Sequence, residues 1–276
     1  MLIKTFKMQY NTIIERKNFY ILFLMLFGYM LLNFLYNVFK YAGRDVADMY
    51  HPMRLLLLAN GSPFYHFLML FYPIIVIIPA AFSYIYDQDC NEQVFILSRA
   101  GKINYYLAKM AATFWTTFLA FSIPFLTEII LNCIVFPGKA AGLLSNVSKY
   151  QIPELEAVHK LLLPSVYSYS ICIYVIIFTV MFGIASGILA TFALAVSIAI
   201  KLKYKAFLFL PVYILVYILN EMSDIIPQIN FSTNYYFYFD IFNITAKSFI
   251  GYLMCLLSIA GLSIVLVVYK ARKDSI

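Results

Sequence analysis

The pattern of this 276-residue chain is a series of apolar runs separated by short charged or turn-forming stretches. The runs cover roughly residues 19–39, 67–86, 110–136, 165–200, 206–220 and 248–268. An α-helix needs about 20 consecutive apolar residues to cross the hydrocarbon of a bilayer, and most of these runs have that length. They predict an all-α polytopic membrane protein with six transmembrane helices in one domain, 1–276. A β-barrel needs short alternating segments instead. The second run carries Pro73 and Pro79, which predict a bend. The fifth is short and holds Pro211. Residues 165–200 contain no charge and have Gly183 and Gly187 near the middle, so they read either as one long helix or as two short spans.

Composition agrees with this class. Hydrophobic residues make up 63% of the chain and charged residues 12%, about half the charged share of a soluble domain. The formal charge of +7 therefore reads first as topology, because Lys and Arg concentrate in cytoplasmic loops, and nucleic acid is not an implied partner. Charge counting also bears on residues 165–200. Taken as one span, they leave thirteen Lys and Arg on the side of the N-terminus and seven on the other, with net charges of +8 and 0. Splitting the run reverses the bias, to eight and twelve. Six spans with both termini cytoplasmic follow, in a multi-pass protein of the cell membrane, bacterial in this reading.

The first 18 residues place Phe6, Tyr10, Ile13 and Ile14 at helical spacing among Lys4, Lys7, Arg16 and Lys17. That pattern predicts an amphipathic helix in the cytoplasmic interface. A cleaved signal peptide is not indicated: a long polar-to-amphipathic stretch precedes a run of full span length. The segment 221–247, by charge on the outer side, holds Tyr235, Tyr236, Phe237, Tyr238, Phe239 and Phe242. So many aromatics predict an interfacial or re-entrant segment before span six.

Catalytic patterns are missing from the sequence. His51, His66 and His159 form no metal-binding pair, and no GxSxG and no phosphate-cradling GxxxxGK[ST] occurs. The four cysteines, Cys90, Cys133, Cys172 and Cys255, are widely spread and suggest neither a metal site nor a disulfide framework. The chain reads as a non-enzyme without a cofactor of its own.

Two polar stripes inside the spans are candidates for a substrate path. Thr113, Thr117, Ala120, Pro124 and Glu128 fall within about an 80° arc at 100° per residue, and Asn33 and Asn37 line span one one turn apart. Intramembrane carboxylates commonly mark a transport path. The competing reading is helix–helix packing through small residues and interhelical hydrogen bonds.

The remaining polar stretch, residues 87–109, joins spans two and three. It reads Asp87, Asp89, Glu92, then Val94-Phe95-Ile96-Leu97-Ser98-Arg99, then Lys102 and Lys109. Preceded by Phe82-Ser83-Tyr84-Ile85-Tyr86 and followed by Tyr106-Leu107-Ala108, it resembles the coupling segment of the ABC-2-type transporter permeases. The resemblance is residue-specific over about 82–110, and the six-span layout matches over the whole chain. It departs where many members have Gly-Thr after the acidic residue, since residues 91–93 here are Asn-Gln-flanked Glu92. The resemblance implies a permease subunit paired with a second copy or a homologue, set in membrane lipid and driven by two ABC-type ATPase subunits that bind the ATP and Mg. It implies docking through Asp89, Glu92, Val94, Phe95, Ile96, Leu97, Arg99 and Lys102, with an apolar centre suited to a partner's groove. Export of a peptide, lipid or amphipathic drug-like molecule is the family's usual task. The competing classes are an ATP-independent transporter or channel, and a peptide-sensing or immunity protein of the membrane.

Overall fold

Helices account for the structure of this chain. The computed structural model describes residues 2–46, 49–59, 62–79, 81–90, 92–138, 161–200, 205–225, 239–242 and 249–273, and among these no strand occurs. The helices are α1 (Leu2–Ile14), α2 (Lys17–Tyr41), α3 (Pro63–Ile75), α4 (Ser83–Asp89), α5 (Glu92–Ala100), α6 (Lys102–Val135), α7 (Pro164–Tyr169), α8 (Ile171–Ala199), α9 (Leu210–Ile225) and α10 (Phe249–Lys273). Four of them, α2, α6, α8 and α10, are long and apolar enough to cross a membrane, and two shorter apolar helices accompany them at Pro63–Ile75 and Phe207–Leu219. The chain is an all-α membrane protein.

Helix α6 has 34 residues, a length of about 51 Å at 1.5 Å per residue. It packs along α8, and α1, α2 and α10 also lie against it. Helix α8 is the most enclosed of the four, with 61% of its apolar stretch buried against 22% for α2 and for α10. Hence α6 and α8 form the centre, while α2 and α10 present Leu24, Leu32, Phe39, Ile250, Leu257 and Val265 outward.

Residues 165–200 hold one long helix preceded by the six-residue α7, not two spans with a turn near the glycines. Gly183 and Gly187 are packing positions instead: a Cβ at Gly187 would stand 2.7 Å from the Phe114 ring, and one at Gly183 would collide with the Ser122 hydroxyl. Small residues here let the two helices close together.

The second apolar run, where Pro73 and Pro79 predict a bend, is broken. Helix α3 starts on Ser62, whose Oγ accepts the Phe64 N–H at 3.2 Å, and stops at Ile75. Pro79 offers no N–H to the Ile75 carbonyl and its ring crowds that carbonyl, so the chain turns before restarting as α4. The turns keep their backbone paired, with Val76 N–H on Tyr72 O at 2.9 Å and Ala81 N–H on Ile77 O at 3.1 Å. In the fifth apolar run, Pro211 stands at the second residue of α9, where its missing N–H has no intrahelical partner to lose. A 3-10 turn over Lys205–Phe209 leads into that helix.

The two ends of the bundle are distinguishable. At one, Tyr84, Tyr105, Tyr106, Leu194, Ile198, Val267 and Ala271 cluster, gathering α4, the start of α6 and the ends of α8 and α10. At the other, Tyr41, Met49, Leu55 and Phe136 meet, gathering the ends of α2 and α6. We call them the charged end and the loop end.

Helix α1 forms as its amphipathic pattern predicts, and it docks: Thr5, Gln9 and Ile13 are buried, and Ile13 packs on Ala112 beside Phe6 and Tyr10. Of the segment 221–247, residues 226–238 and 243–247, including Tyr235, Tyr236, Phe237 and Tyr238, lie outside the described residues. Residues 239–242 are buried in the main core.

Candidate functional site

The charged end is organised by one carboxylate. Asp87, in the last turn of α4, is 1% exposed and its partner Lys109 is wholly enclosed. Lys109 Nζ donates to Asp87 Oδ2 at 2.6 Å and to Gln9 Oε1 at 2.7 Å. Tyr105 Oη donates to the same Oδ2 at 2.7 Å, and Arg16 Nη2 to Oδ1 at 3.1 Å. Arg16 also reaches the Ser83 carbonyl at 3.3 Å, and its guanidinium lies 5.0 Å from the Tyr86 ring centroid. Tyr105 and Lys109 stand one turn apart on α6, so both reach the same acceptor. Charge-assisted bonds at these lengths are the strong kind. The brace ties α1, the α1–α2 junction, α4 and α6 together on both sides of α5.

Helix α5 sits against this end as a short strut. Ile96 and Leu97 pack on the cluster of Tyr84, Tyr105 and Tyr106, whereas Phe95 is 71% exposed. Ser98 and Arg99 are exposed, Asp89 is exposed at the end of α4, and Lys102 is half-buried at the start of α6. The side chains of Glu92 and Val94 lie outside the described residues. Gly101 makes the turn into α6 with φ of 77°, a backbone region that a residue without Cβ enters freely. The apolar centre 94–97 is thus divided: Ile96 and Leu97 seat the helix, and Phe95 faces away.

At the loop end the two polar stripes of the sequence meet. Glu128 is 1% exposed. Its Oε1 accepts Asn33 Nδ2 at 2.6 Å, and its two oxygens accept the Leu57 N–H at 3.0 and 3.1 Å. Asn33 Nδ2 and Asn37 Nδ2 both donate to the Leu55 carbonyl, at 3.0 and 2.8 Å, and Ser62 Oγ donates to Asn33 Oδ1 at 2.8 Å. The donors to Glu128 are neutral, an amide and a backbone N–H. Thr113 and Thr117 do not join this group. They lie toward the charged end of α6, fully buried, with hydroxyl oxygens that have no partner in the structure.

What Glu128, Asn33 and Asn37 serve is backbone. After α2 the chain re-enters the bundle as Pro52–Leu55, a single 3-10 turn, followed by irregular residues 56–59. Pro52, Met53 and residues 55–59 are all buried. Irregular backbone buried away from water persists only where its polar groups find protein partners. Here the Leu55 carbonyl and the Leu57 N–H find the three side chains, and the Leu58 carbonyl accepts the Ile241 N–H at 3.2 Å. Ile241 in turn offers its carbonyl to Tyr174 Oη at 2.8 Å, and the Arg54 guanidinium lies 3.9 Å from the Phe242 ring centroid. The sequence does carry a signal for this segment, the unbroken apolar run from Leu55 to Ala59 inside a connection otherwise read as polar. The brace at the charged end left a fainter one, Lys109 placed seven residues into α6.

At the loop end, His51 outside the spans opens the 3-10 turn, its Nδ1 accepting the Met53 N–H at 3.2 Å. Burial and then the nearby Arg54 charge hold its pKa below the ordinary histidine value. No family model, curated protein or solved structure matches the chain.

Proposed function

We propose that this chain is the transmembrane permease subunit of an ATP-driven ABC transporter, an exporter of a peptide, lipid or amphipathic drug-like molecule whose ATP is hydrolysed by separate subunits. The observation that carries the reading is α5. A nine-residue helix is seated on the bundle by Ile96 and Leu97 while Phe95 projects 71% exposed beside Arg99. A large aromatic held outward on a braced strut suits a groove on a partner protein. The Asp87 brace gives a push on α5 a stiff route into α1 and α6. The charged end then faces the cytoplasm, in keeping with Arg16, Arg99, Lys102, Lys109, Lys270, Arg272 and Lys273 gathered there. A second permease copy or a homologue completes the pathway, and the outward apolar faces of α2 and α10 meet it or the lipid.

Phe95→Asp tests the reading, with Ile96 left intact so that the seat of α5 survives. The ATPase subunit of the native complex is expected to stop co-purifying while the permease remains folded and in the membrane. Unchanged co-purification together with unchanged transport-coupled ATP hydrolysis would contradict docking at this helix.

A further inference from the structure

Two of the four cysteines, far apart in sequence, face each other. Ser122 of α6 lies opposite Gly183 of α8, as the collision of a Cβ there with its hydroxyl requires, and the Phe125 and Phe182 rings sit 5.4 Å apart. The helices run antiparallel, since Phe114, nearer the start of α6, meets Gly187, further along α8. Eleven residues beyond Ser122 stands Cys133, and eleven before Gly183 stands Cys172. Eleven residues make about three turns of helix, which return each position to the face it left. The register therefore brings the two thiols to facing positions on α6 and α8, as neighbours in space. Cys133 is exposed and Cys172 half-buried. Cys133 lies 24 residues beyond the buried Lys109 on α6, about 36 Å along the axis, more than the thickness of the hydrocarbon. It stands in the last turn of α6 and is exposed, open to a reagent that reaches the loop end.

We propose that Cys133 and Cys172 are a redox-active dithiol that closes to an α6–α8 disulfide, with a small-molecule or protein disulfide as oxidant. Cys133, the accessible thiol, loses its proton and attacks one sulfur of the oxidant's disulfide, forming a mixed disulfide and releasing the first oxidant thiolate. Cys172 then loses its proton and attacks Cys133 Sγ. The Cys133–Cys172 bond forms, the mixed disulfide breaks, and the second thiolate leaves. The pair gives up two electrons and two protons, and the oxidant becomes two thiols. The assignment is independent of transport. In the orientation proposed above the pair lies on the extracytoplasmic side, where disulfides persist. The bond would tie the loop-end halves of the two central helices, with Cys90 and Cys255 remaining as thiols.

The test uses the full-length chain in lipid nanodiscs, treated with oxidised glutathione, freed of reagent, denatured and counted with a polyethylene-glycol maleimide, with intact mass measured alongside. Reduced protein takes four labels, one for each cysteine. The expected result is loss of two labels with no glutathione added in mass, a Cys133–Cys172 cross-linked peptide on non-reducing digestion, and return of all four labels after reduction. The Cys90→Ser/Cys255→Ser double variant is expected to fall from two labels to none. Four labels after oxidation, a glutathione adduct that persists at Cys133, or a cross-link between two chains would each overturn the proposal. The wild-type protein carries the main readout, so the conclusion does not depend on any variant folding.

Discussion

The two ends of this bundle use buried polar groups in opposite ways. At the charged end Asp87 meets side chains, Lys109, Arg16 and Tyr105, and holds regular helices to one another. At the loop end Glu128, Asn33 and Asn37 meet main chain, and hold a segment that is not helical. The first arrangement is a brace between elements with complete backbone ladders of their own. The second substitutes for a ladder that residues 56–59 do not have. A carboxylate inside a membrane protein can therefore be structural in two distinct senses, and its partners tell which.

The largest expected effect separates the two senses by charge. Asp87→Ala leaves Lys109 buried without its counter-ion, a loss of about 3–5 kcal/mol, read as a collapse in thermal stability of the detergent-purified protein. The Asp87→Leu/Lys109→Met pair is expected to recover most of that loss, since a buried ion pair exchanged for apolar groups is often close to neutral. No recovery would mean that the charges matter beyond pairing. Next, Asn33→Leu removes the bridge between Glu128, Leu55 and Ser62; Asn37 still donates to the Leu55 carbonyl, but Glu128 Oε1 and the buried Ser62 hydroxyl each lose a partner, at a cost of about 1–3 kcal/mol. Its signature is local: faster amide exchange over 55–59, with the charged end unaffected.

Gly187→Ala probes the α6–α8 contact on which both ends rest. Because the added methyl meets the Phe114 ring at 2.7 Å and its carbonyl at 3.1 Å, a loss of about 1–3 kcal/mol is expected, checked by thermal unfolding. The smallest effect is with pH. His51 is neutral when its Nδ1 accepts from Met53, and its folded pKa lies below the ordinary 6.5. A depressed pKa means the unfolded chain binds the proton more readily. The contribution is thus intact above about pH 6.5 and is lost as pH falls through the lower folded value. His51→Asn, which retains a capping acceptor, should flatten that part of the stability profile.

Much of the fold was legible in the chain. The apolar runs set out the four long helices and the two short ones, because length and hydrophobicity decide where a helix can sit in lipid. Charge counting favoured one helix over 165–200, which Ile171–Ala199 forms. The break in the second apolar run is less legible, since periodicity alone does not tell whether Pro79 kinks a helix or ends it. The candidate residues Asn33, Asn37 and Glu128 were visible as stripes on two helices, but their meeting was not, nor was the backbone they meet. That depends on a non-local segment, residues 52–59, whose burial follows from packing and has no local period. Likewise Phe95 and Ile96 are adjacent and equally apolar in the sequence, and only the seat of α5 on Tyr84, Tyr105 and Tyr106 divides them. The Cys133–Cys172 pairing needed the helix register, which spacing along the chain does not carry.

The most direct measurement is residue-resolved amide exchange at Leu57 in the wild type, Glu128→Gln and Glu128→Ala. If the carboxylate is there to satisfy that N–H, the Ala variant exchanges Leu57 about 10-fold or more faster, corresponding to about 1.4 kcal/mol, while the Gln variant, which keeps an acceptor, stays near the wild type. Leu57 exchange unchanged in Glu128→Ala would contradict it.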